Sequence, residues 1–170
     1  MLRPWMRQLP PATRFIFQGD APARVGAAAI WNVPFSDTAC RAISSGTRAS
    51  LWLGPQEYLL CDSHRGGPDP AADFLELQRQ QPCSVVDVSH RQLAWEITGP
   101  LAQTILAGAC PLDLDLAHFP VDMCTRTVLA KAEIILWRRQ TQVFHLEAWR
   151  SFAPYVSALL TEIATGYDLP

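Results

Sequence analysis

The chain has 170 residues, 49% of them apolar and 18% charged, which suits one folded domain with a substantial core and excludes a disordered chain. The formal net charge of −2 and the scattered basic residues exclude the electrostatic pattern of a nucleic-acid-binding protein, and no apolar run reaches the roughly 18 residues of a membrane span. The cysteine count is odd and the spacings are wide, which favours free thiols in a reducing cytoplasm over a disulfide framework or a zinc site; the cysteines are Cys40, Cys61, Cys83, Cys110 and Cys124.

An extended arm followed by strand, helix, hairpin and helix is predicted for the first half of the chain. Residues 1–11 form the arm, because consecutive prolines exclude a helix, and its Trp5 is either a hook onto a partner or part of an untethered tail. The elements that follow are a strand over 14–17 ending at Gly19, a helix over 21–31, a loop over 32–46, a hairpin over 51–61 and a loop over 65–68. Asp69 then caps a helix with Pro70 at its first position, and this helix directs to the core the side chains of Phe74, Leu75 and Leu77.

The second half repeats this order of elements. They are a strand over 93–97 ending at Gly99, a helix opened by Pro100, a loop over 111–123, a long strand over 127–138 and a strand over 143–146 that pairs back on it. The long strand is predicted because apolar residues alternate along it and no glycine marks a turn. Ser151 caps a final helix, which has apolar residues at three- and four-residue steps and stops at Gly166.

The two halves echo each other in sequence. Phe17-Gln18-Gly19 matches Ile97-Thr98-Gly99, and Thr47-Arg48 matches Thr125-Arg126, both at offsets of about eighty residues. We therefore predict an α+β fold, made of pseudo-duplicated ferredoxin-like βαββα units with mostly antiparallel sheet. The predicted domain spans residues 12–170 as a single body, and its half-repeats cover about 12–82 and 83–168.

Asp113, Asp115 and His118 offer oxygen and imidazole ligands of the kind that metals use. Nothing nearby supplies the further ligands that calcium or zinc needs, and prolines on both sides indicate a loop with turn-forming aspartates. We therefore expect no metal site here.

Asp87, Ser89 and His90 have the residue types of a hydrolase triad. Neighbouring side chains on a strand point to opposite faces, so His90 cannot act as the base for Ser89. Lys131 and Glu133 either lie on a solvent-exposed strand face, which is favoured, or line a cleft. The sequence lacks a glycine-rich phosphate loop, and we expect neither a catalytic group nor a bound cofactor on this chain.

Five stretches carry a resemblance to a known family. They are 51–60 (Leu-Trp-Leu-Gly-Pro-x-Glu-Tyr-Leu-Leu), 86–91 (Val-Asp-Val-Ser-His-Arg), 110–114 (Cys-Pro-Leu-Asp-Leu), Phe119-Pro120 with 124–127 (Cys-Thr-Arg-Thr), and 150–155 (Arg-Ser-Phe-Ala-x-Tyr). In this order they resemble the gamma subunits of heterotetrameric sarcosine oxidases, whose fold is similar to the folate-binding domain of the glycine-cleavage T-protein, an aminomethyltransferase. The Asp-x-Ser-His and Thr-Gly-Pro-x-Ala pieces are shared with the wider T-protein family and indicate fold more than function.

The resemblance implies an accessory, structural chain that works with alpha, beta and delta subunits in oxidising sarcosine to glycine. FAD, FMN, NAD, tetrahydrofolate and zinc are then expected on the other subunits. T-proteins have a Gly-Gly turn and a catalytic aspartate near the folate, whereas residues 129–134 here contain no glycine, and Glu133 is the nearest carboxylate. The alternative is a stand-alone folate-binding protein of one-carbon transfer in the aminomethyltransferase family, which predicts a polar cleft near Lys131, Glu133 and His90.

An accessory subunit needs a partner interface, and such interfaces favour large apolar and arginine side chains. The residues that we expect there are Trp5, Phe119, Arg126, Trp149 and Arg150. Tryptophans also fill cores and arginines also form internal salt bridges, so the sequence leaves both roles open for each.

Overall fold

The computed structural model describes residues 4–64 and 69–167 as two compact units. The first unit contains residues 10–89, and the second contains residues 4–9 together with 90–167. The predicted loop over 65–68 and the start of the predicted arm, residues 1–3, lie outside the described residues.

The helices and strands of the described residues follow one another in two similar series. In chain order they are β1 (Met6–Gln8), β2 (Thr13–Gly19), α1 (Ala21–Trp31), β3 (Ala42–Ser45), β4 (Arg48–Gly54), β5 (Glu57–Asp62), α2 (Ala71–Gln80), β6 (Cys83–Asp87), β7 (Gln92–Thr98), α3 (Ala102–Ala107), β8 (Cys124–Leu129), β9 (Ala132–Gln140), β10 (Val143–Trp149) and α4 (Ala153–Thr165).

The first unit has a five-stranded antiparallel sheet in the order β3-β4-β5-β2-β6. Alternate residues of β2, Phe15 and Phe17, point to the side where α1 and α2 lie. Phe15 meets Trp31 of α1 and Phe74 of α2 at ring-centre distances of 6.1 and 5.3 Å. The core of this unit is therefore largely aromatic.

The second unit has a five-stranded antiparallel sheet in the order β1-β7-β10-β9-β8. Its core combines alternate residues of the central strands with the apolar faces of α3 and α4. The fully buried members on the strands include Ile97, Leu136, Phe144 and Leu146.

The two sheets have the same internal order, so the predicted α+β pseudo-duplication is confirmed. The series β3-β4-β5-β2 corresponds to β8-β9-β10-β7, and in each sheet one more strand completes the edge. That strand comes from the segment before the other series: β1 precedes β2 but pairs with β7, and β6 precedes β7 but pairs with β2. Each half is thus βαβββα, with one strand more than predicted, and β6 belongs to the first unit although it opens the second predicted half-repeat.

The prediction of one long strand over 127–138 was wrong. The chain reverses after Leu129, which pairs with Ala132, so that β8 and β9 form a hairpin with Ala130 and Lys131 in its turn. Ala130 adopts a left-handed backbone conformation with φ of 51°, a conformation for which turns usually use glycine. The run of apolar residues on both sides of the turn concealed the reversal, although Val128 on the predicted apolar face is 41% exposed and Leu129 is buried.

The loop predicted over 32–46 contains a strand, β3, which pairs with β4. This strand corresponds to β8 in the second series, whereas Arg48 opens β4. The match of Thr47-Arg48 with Thr125-Arg126 therefore joined positions that are not equivalent, since Arg126 lies within β8.

Three predicted helix details were also wrong. Asp69 does accept the Ala71 N–H at 3.0 Å, but the N-cap position of α2 is held by Pro70, which makes no side-chain capping hydrogen bond. Leu75 is 52% exposed and points away from the core. Ser151 lies in a short 3₁₀ turn before α4 and does not cap it. The predicted stop at Gly166 is confirmed, since Gly166 is the C-cap residue of α4.

Candidate partner-binding surface

The predicted metal ligands form a local turn. The Asp113 carboxylate lies 2.6 Å from His118 Nδ1, and both side chains are about two-thirds exposed. The backbone N–H of Asp115 donates to Asp113 at 2.9 Å, and this hydrogen bond, with the contact to His118, holds the pKa of Asp113 below its usual range. Over residues 4–64 and 69–167, no three His, Cys, Asp or Glu side chains are grouped so that they could hold a metal.

Ser89 connects the end of β6 to β2. Its Oγ accepts the Arg14 N–H at 2.9 Å and also contacts the Arg14 carbonyl at 3.4 Å, and the adjacent Val88 N–H donates to that carbonyl at 2.9 Å. The Asp87 carboxylate accepts the Ser89 N–H at 2.8 Å. The Ser89 hydroxyl thus extends the strand pairing and the Asp87 carboxylate stabilises the turn after β6, so this geometry gives a hydrolase interpretation no support.

Lys131 and Glu133 lie on the exposed hairpin of β8 and β9. The Lys131 N–H contacts the Tyr155 hydroxyl at 3.4 Å, and the Glu133 carboxylate lies 3.6 Å from Nε of Arg126. Both side chains face solvent at the sheet edge. The expectation of an exposed strand face therefore fits this hairpin better than a cleft.

A small polar cleft adjoins the guanidinium of Arg138, which is 1% exposed. The guanidinium stacks on Phe144 at 4.5 Å, donates to the Thr141 carbonyl at 2.8 Å and to Gln103 Oε1 at 3.1 Å, and also donates to the Leu114 carbonyl. Burial lowers the pKa of Arg138, against the opposing charge of Asp115. The cleft measures about 160 Å³, which is below the roughly 300–1,000 Å³ of typical ligand pockets, and Arg138 acts as an internal clamp between three segments.

Two of the residues predicted at a partner interface are buried in the second unit. Trp5 is 5% exposed and Phe119 1% exposed, and both belong to the core of that unit. The Phe119 ring stacks with Phe144 at 6.5 Å. Their own core therefore explains these aromatic side chains, and Arg126 faces Glu133 of the same hairpin.

The other two predicted residues, Trp149 and Arg150, lie side by side at the surface with a third residue that the sequence analysis missed. The guanidinium carbon of Arg91 lies 5.6 Å from the Trp149 ring centre, and the Arg150 N–H donates to the Arg91 carbonyl at 2.8 Å. Trp149 is 43% exposed, and both arginines are exposed. We call these three residues the Arg91–Trp149–Arg150 patch, and the cation–π contact inside it holds the ring at the surface.

The arginines of this patch differ in their electrostatic partners from most of the other exposed arginines that the structure describes. Arg7 and Arg139 face Glu96 at 2.8 and 3.8 Å, and Arg79 faces Glu76 at 3.2 Å. Among the residues that the structure describes, no carboxylate lies within 4.0 Å of a guanidinium nitrogen of Arg91 or Arg150. Two guanidinium groups and one indole ring thus stand available to a binding partner. Local sequence could not separate these arginines, because the pairs of Arg7 and Arg139 with Glu96 join residues distant in the chain and only Arg79 pairs with a near neighbour.

Comparison with known proteins gives consistent matches. The family model described as "Sarcosine oxidase, gamma subunit family" matches residues 18–165. Curated relatives named "Sarcosine oxidase subunit gamma" include one from Corynebacterium sp. (strain U-96), 35% identical over 126 residues and 73% of this chain, and one from Arthrobacter sp., 30% identical over 122 residues and 72% of this chain. A third, from Corynebacterium sp. (strain P-1), is 33% identical over 107 residues, which is 63% of this chain. The matched regions span 52–59% of these relatives' own length, somewhat more than half.

Solved structures show the same fold. A chain of the heterotetrameric sarcosine oxidase from Corynebacterium sp. U-96, in complex with pyrrole 2-carboxylate, has a TM-score of 0.88 and 23% identity, covering 97% of this chain and 85% of that chain. The glycine cleavage system aminomethyltransferase T from Bartonella henselae has a TM-score of 0.63 and 13% identity, covering 91% of this chain and 44% of that chain. The predicted resemblance to the aminomethyltransferase fold is thereby confirmed. In the described residues, the helices fall short of the length and apolar character that crossing a membrane requires.

Proposed function

This chain belongs to the sarcosine oxidase gamma subunit family, and we propose that it is the accessory gamma subunit of a heterotetrameric sarcosine oxidase. The observation that carries the proposal is the family match over residues 18–165. The proposed complex contains alpha, beta and delta subunits and oxidatively demethylates sarcosine to glycine in the cytoplasm.

The role that we propose for this chain is structural. Polar groups that suggested chemistry in the sequence are engaged in local structure, since Ser89 joins two strands and Asp113 organises a turn. Arg138, which the structure places beside a small cleft, clamps three segments. The cleft beside Arg138, at about 160 Å³, is also small for a flavin or a folate. We assign FAD, FMN, NAD, tetrahydrofolate and zinc of the proposed complex to the other subunits.

The partner contacts that we propose for this chain are Arg126, Trp149 and Arg150. Tryptophan and arginine dominate the energetics of many protein interfaces, and all three side chains are accessible. Trp5 and Phe119 contribute instead through the core of the second unit.

The test is recovery of the complex from native cells through a tag on this chain. The measurements are the size of co-purified subunits, their flavin absorbance and sarcosine-dependent production of peroxide, with an untagged strain as the control. The proposal expects larger, flavin-bearing subunits and activity with sarcosine. Recovery of the chain alone, together with binding of tetrahydrofolate by that isolated chain, would replace it with the stand-alone one-carbon-transfer alternative.

A further inference from the structure

We propose that the Arg91–Trp149–Arg150 patch binds an acidic segment of a partner subunit through that segment's carboxylates. This inference rests on the proposed function, because it names the chemistry by which the gamma subunit holds its neighbour. It adds Arg91 to the contact residues and assigns the two arginines a specific type of ligand.

The patch is held rigidly by the backbone. Trp149 is the last residue of β10 and pairs with Gln92 at the start of β7, so Arg91 and Arg150 flank a paired position of the sheet. The hydrogen bond from the Arg150 N–H to the Arg91 carbonyl, at 2.8 Å, continues this pairing by one residue. Binding of a partner here costs this chain little conformational entropy, since its backbone at the patch is already ordered.

The charges of the patch identify the ligand as a carboxylate. Within the part of the chain that the structure describes, neither Arg91 nor Arg150 has a carboxylate within ion-pair distance, and His90 lies next to Arg91 on the exposed surface. A planar guanidinium with free N–H groups can hold a carboxylate through two parallel hydrogen bonds. Two such groups, one over the Trp149 ring and one on the residue that follows Trp149 in the chain, suit a segment with two acidic residues.

The indole of Trp149 provides the apolar part of the proposed contact. It is 43% exposed, and stacking against Arg91 fixes its ring at the surface. Large aromatic rings surrounded by polar groups are frequent centres of binding energy, because the partner shields the adjacent charged hydrogen bonds from water. The fitting partner is thus an acidic segment with an apolar side chain that covers the ring.

A cross-linking experiment can detect the proposed carboxylates directly. Lys131 is the single lysine of the chain, so Lys131→Arg removes every side-chain amine. In that background, Arg91→Lys or Arg150→Lys places one amine in the patch, and a carbodiimide then couples it to any carboxylate in direct contact. The matched control is Arg79→Lys in the same background, at an exposed position of α2 in the first unit that pairs with Glu76 of its own chain.

The experiment uses the complete complex, purified with each variant and analysed by mass spectrometry after coupling. We expect position 91 or 150 to be joined to an aspartate or glutamate of a partner subunit, at a yield several times that of position 79. An intact complex in which neither position couples to a partner carboxylate would overturn the inference and leave the proposed function standing. Failure of the unsubstituted chain to form any complex would overturn both.

Charge-neutral variants give a second measurement. Arg91→Gln and Arg150→Gln should each weaken binding to the partner subunits about tenfold or more, as expected for loss of a charged interface contact. The loss should shrink at high salt, because salt already screens the ion pairs of the unsubstituted chain. Arg79→Gln should leave affinity unchanged, and equal affinities for all three variants would contradict the inference, with circular dichroism confirming that each is folded.

Discussion

Gly19 stands where the chain leaves β2 and enters α1, and we expect Gly19→Ala to destabilise the first unit. A Cβ atom at this position would lie 2.8 Å from Cβ of Cys83, 2.9 Å from Cζ of Phe17 and 3.1 Å from Cβ of Ala23. Two of these neighbours are Cβ atoms fixed to the backbone of β6 and α1, so they cannot rotate away. Accommodation therefore requires the strand or the helix to move.

The expected loss follows from two opposing terms. Overpacking of a filled site costs about 1–3 kcal/mol, and three simultaneous contacts favour the upper part of that range. Alanine recovers about 0.4–1 kcal/mol because it restricts the unfolded chain more than glycine does. The net loss in the free energy of unfolding should be about 1–2 kcal/mol, which corresponds to a fall in Tm of about 2–8 °C for a chain of this length.

The assay is urea unfolding followed by circular dichroism and tryptophan fluorescence, with Gly54→Ala as the matched control. A Cβ at Gly54 would meet only Glu57, at 3.7 Å or more, so this variant should change the free energy of unfolding by less than about 0.5 kcal/mol. A second pair of variants isolates the contact with β6. Cys83→Gly removes the Cβ atom that Gly19→Ala would meet, whereas Cys83→Ala retains it.

The steric argument predicts coupling in one double mutant only. The cost of Gly19→Ala should fall by about 1 kcal/mol in the Cys83→Gly background and stay the same with Cys83→Ala. Equal stability of Gly19→Ala and Gly54→Ala would refute the reasoning. Equal costs in both Cys83 backgrounds would assign the loss to a cause other than this contact.

Three further outcomes can be measured by the same unfolding assay. Gly99→Ala should lower the free energy of unfolding by about 1–2 kcal/mol because Gly99 has φ of 103°. A Cβ at this position would meet open space, so strain of the backbone is the only cause invoked, and a neutral result would contradict it. Burial raises the pKa of Asp62, but hydrogen bonds, foremost the one from Arg48 at 2.9 Å, outweigh it and place this pKa below its usual range. Asp62→Asn should therefore cost about 1–3 kcal/mol at pH 7, and the deficit should shrink as pH falls below about 4, through the lowered pKa of the folded state; a deficit constant down to pH 3 would refute this linkage. Arg138→Met should cost about 2–4 kcal/mol by leaving three acceptors without a donor, and a loss below about 1 kcal/mol would show that the clamp is dispensable.

Sequence patterns predicted those elements whose signal is local. The helix over 21–31 has the bounds of α1, where Asp20 accepts the Ala23 N–H at 3.1 Å, and the turn of the predicted hairpin falls between β4 and β5. The glycine predicted at the end of the first strand of each half was also located correctly, since Gly19 ends β2 and Gly99 follows β7. The physical reasons differ, however, since Gly19 is needed for space and Gly99 for its positive φ.

Features that depend on distant partners were missed. Ala130 takes a left-handed conformation in the turn, where its N–H donates to the Ala109 carbonyl at 2.7 Å, and no sequence rule anticipates an alanine in this role. Strand β3 forms because it pairs with β4, although the sequence of residues 42–45 predicts a loop.

The candidate site was predicted only in part, for the same reason. Trp5 and Trp149 are the same residue type, yet one is 5% exposed and the other 43%. Packing and strand pairing decide this difference in exposure, and the residues adjacent in the sequence do not. Arg91 was not proposed from the sequence because its distinction, the lack of a nearby carboxylate among the described residues, is a property of the folded chain.

The exchange of edge strands between the two series sets an order of events for a chain leaving the ribosome. The first sheet is complete once β6 has emerged, because its strands lie within residues 10–89. Strand β1 is synthesised before the strands of the first sheet but must wait for β7, about ninety residues later, so that Met6 can pair with Ile97 and Trp5 can enter its core. Closing so long a loop is slow relative to local pairing. Residues that are made before the first sheet are therefore among the last to pack, and the nascent chain carries an unpaired strand and an exposed indole throughout that interval.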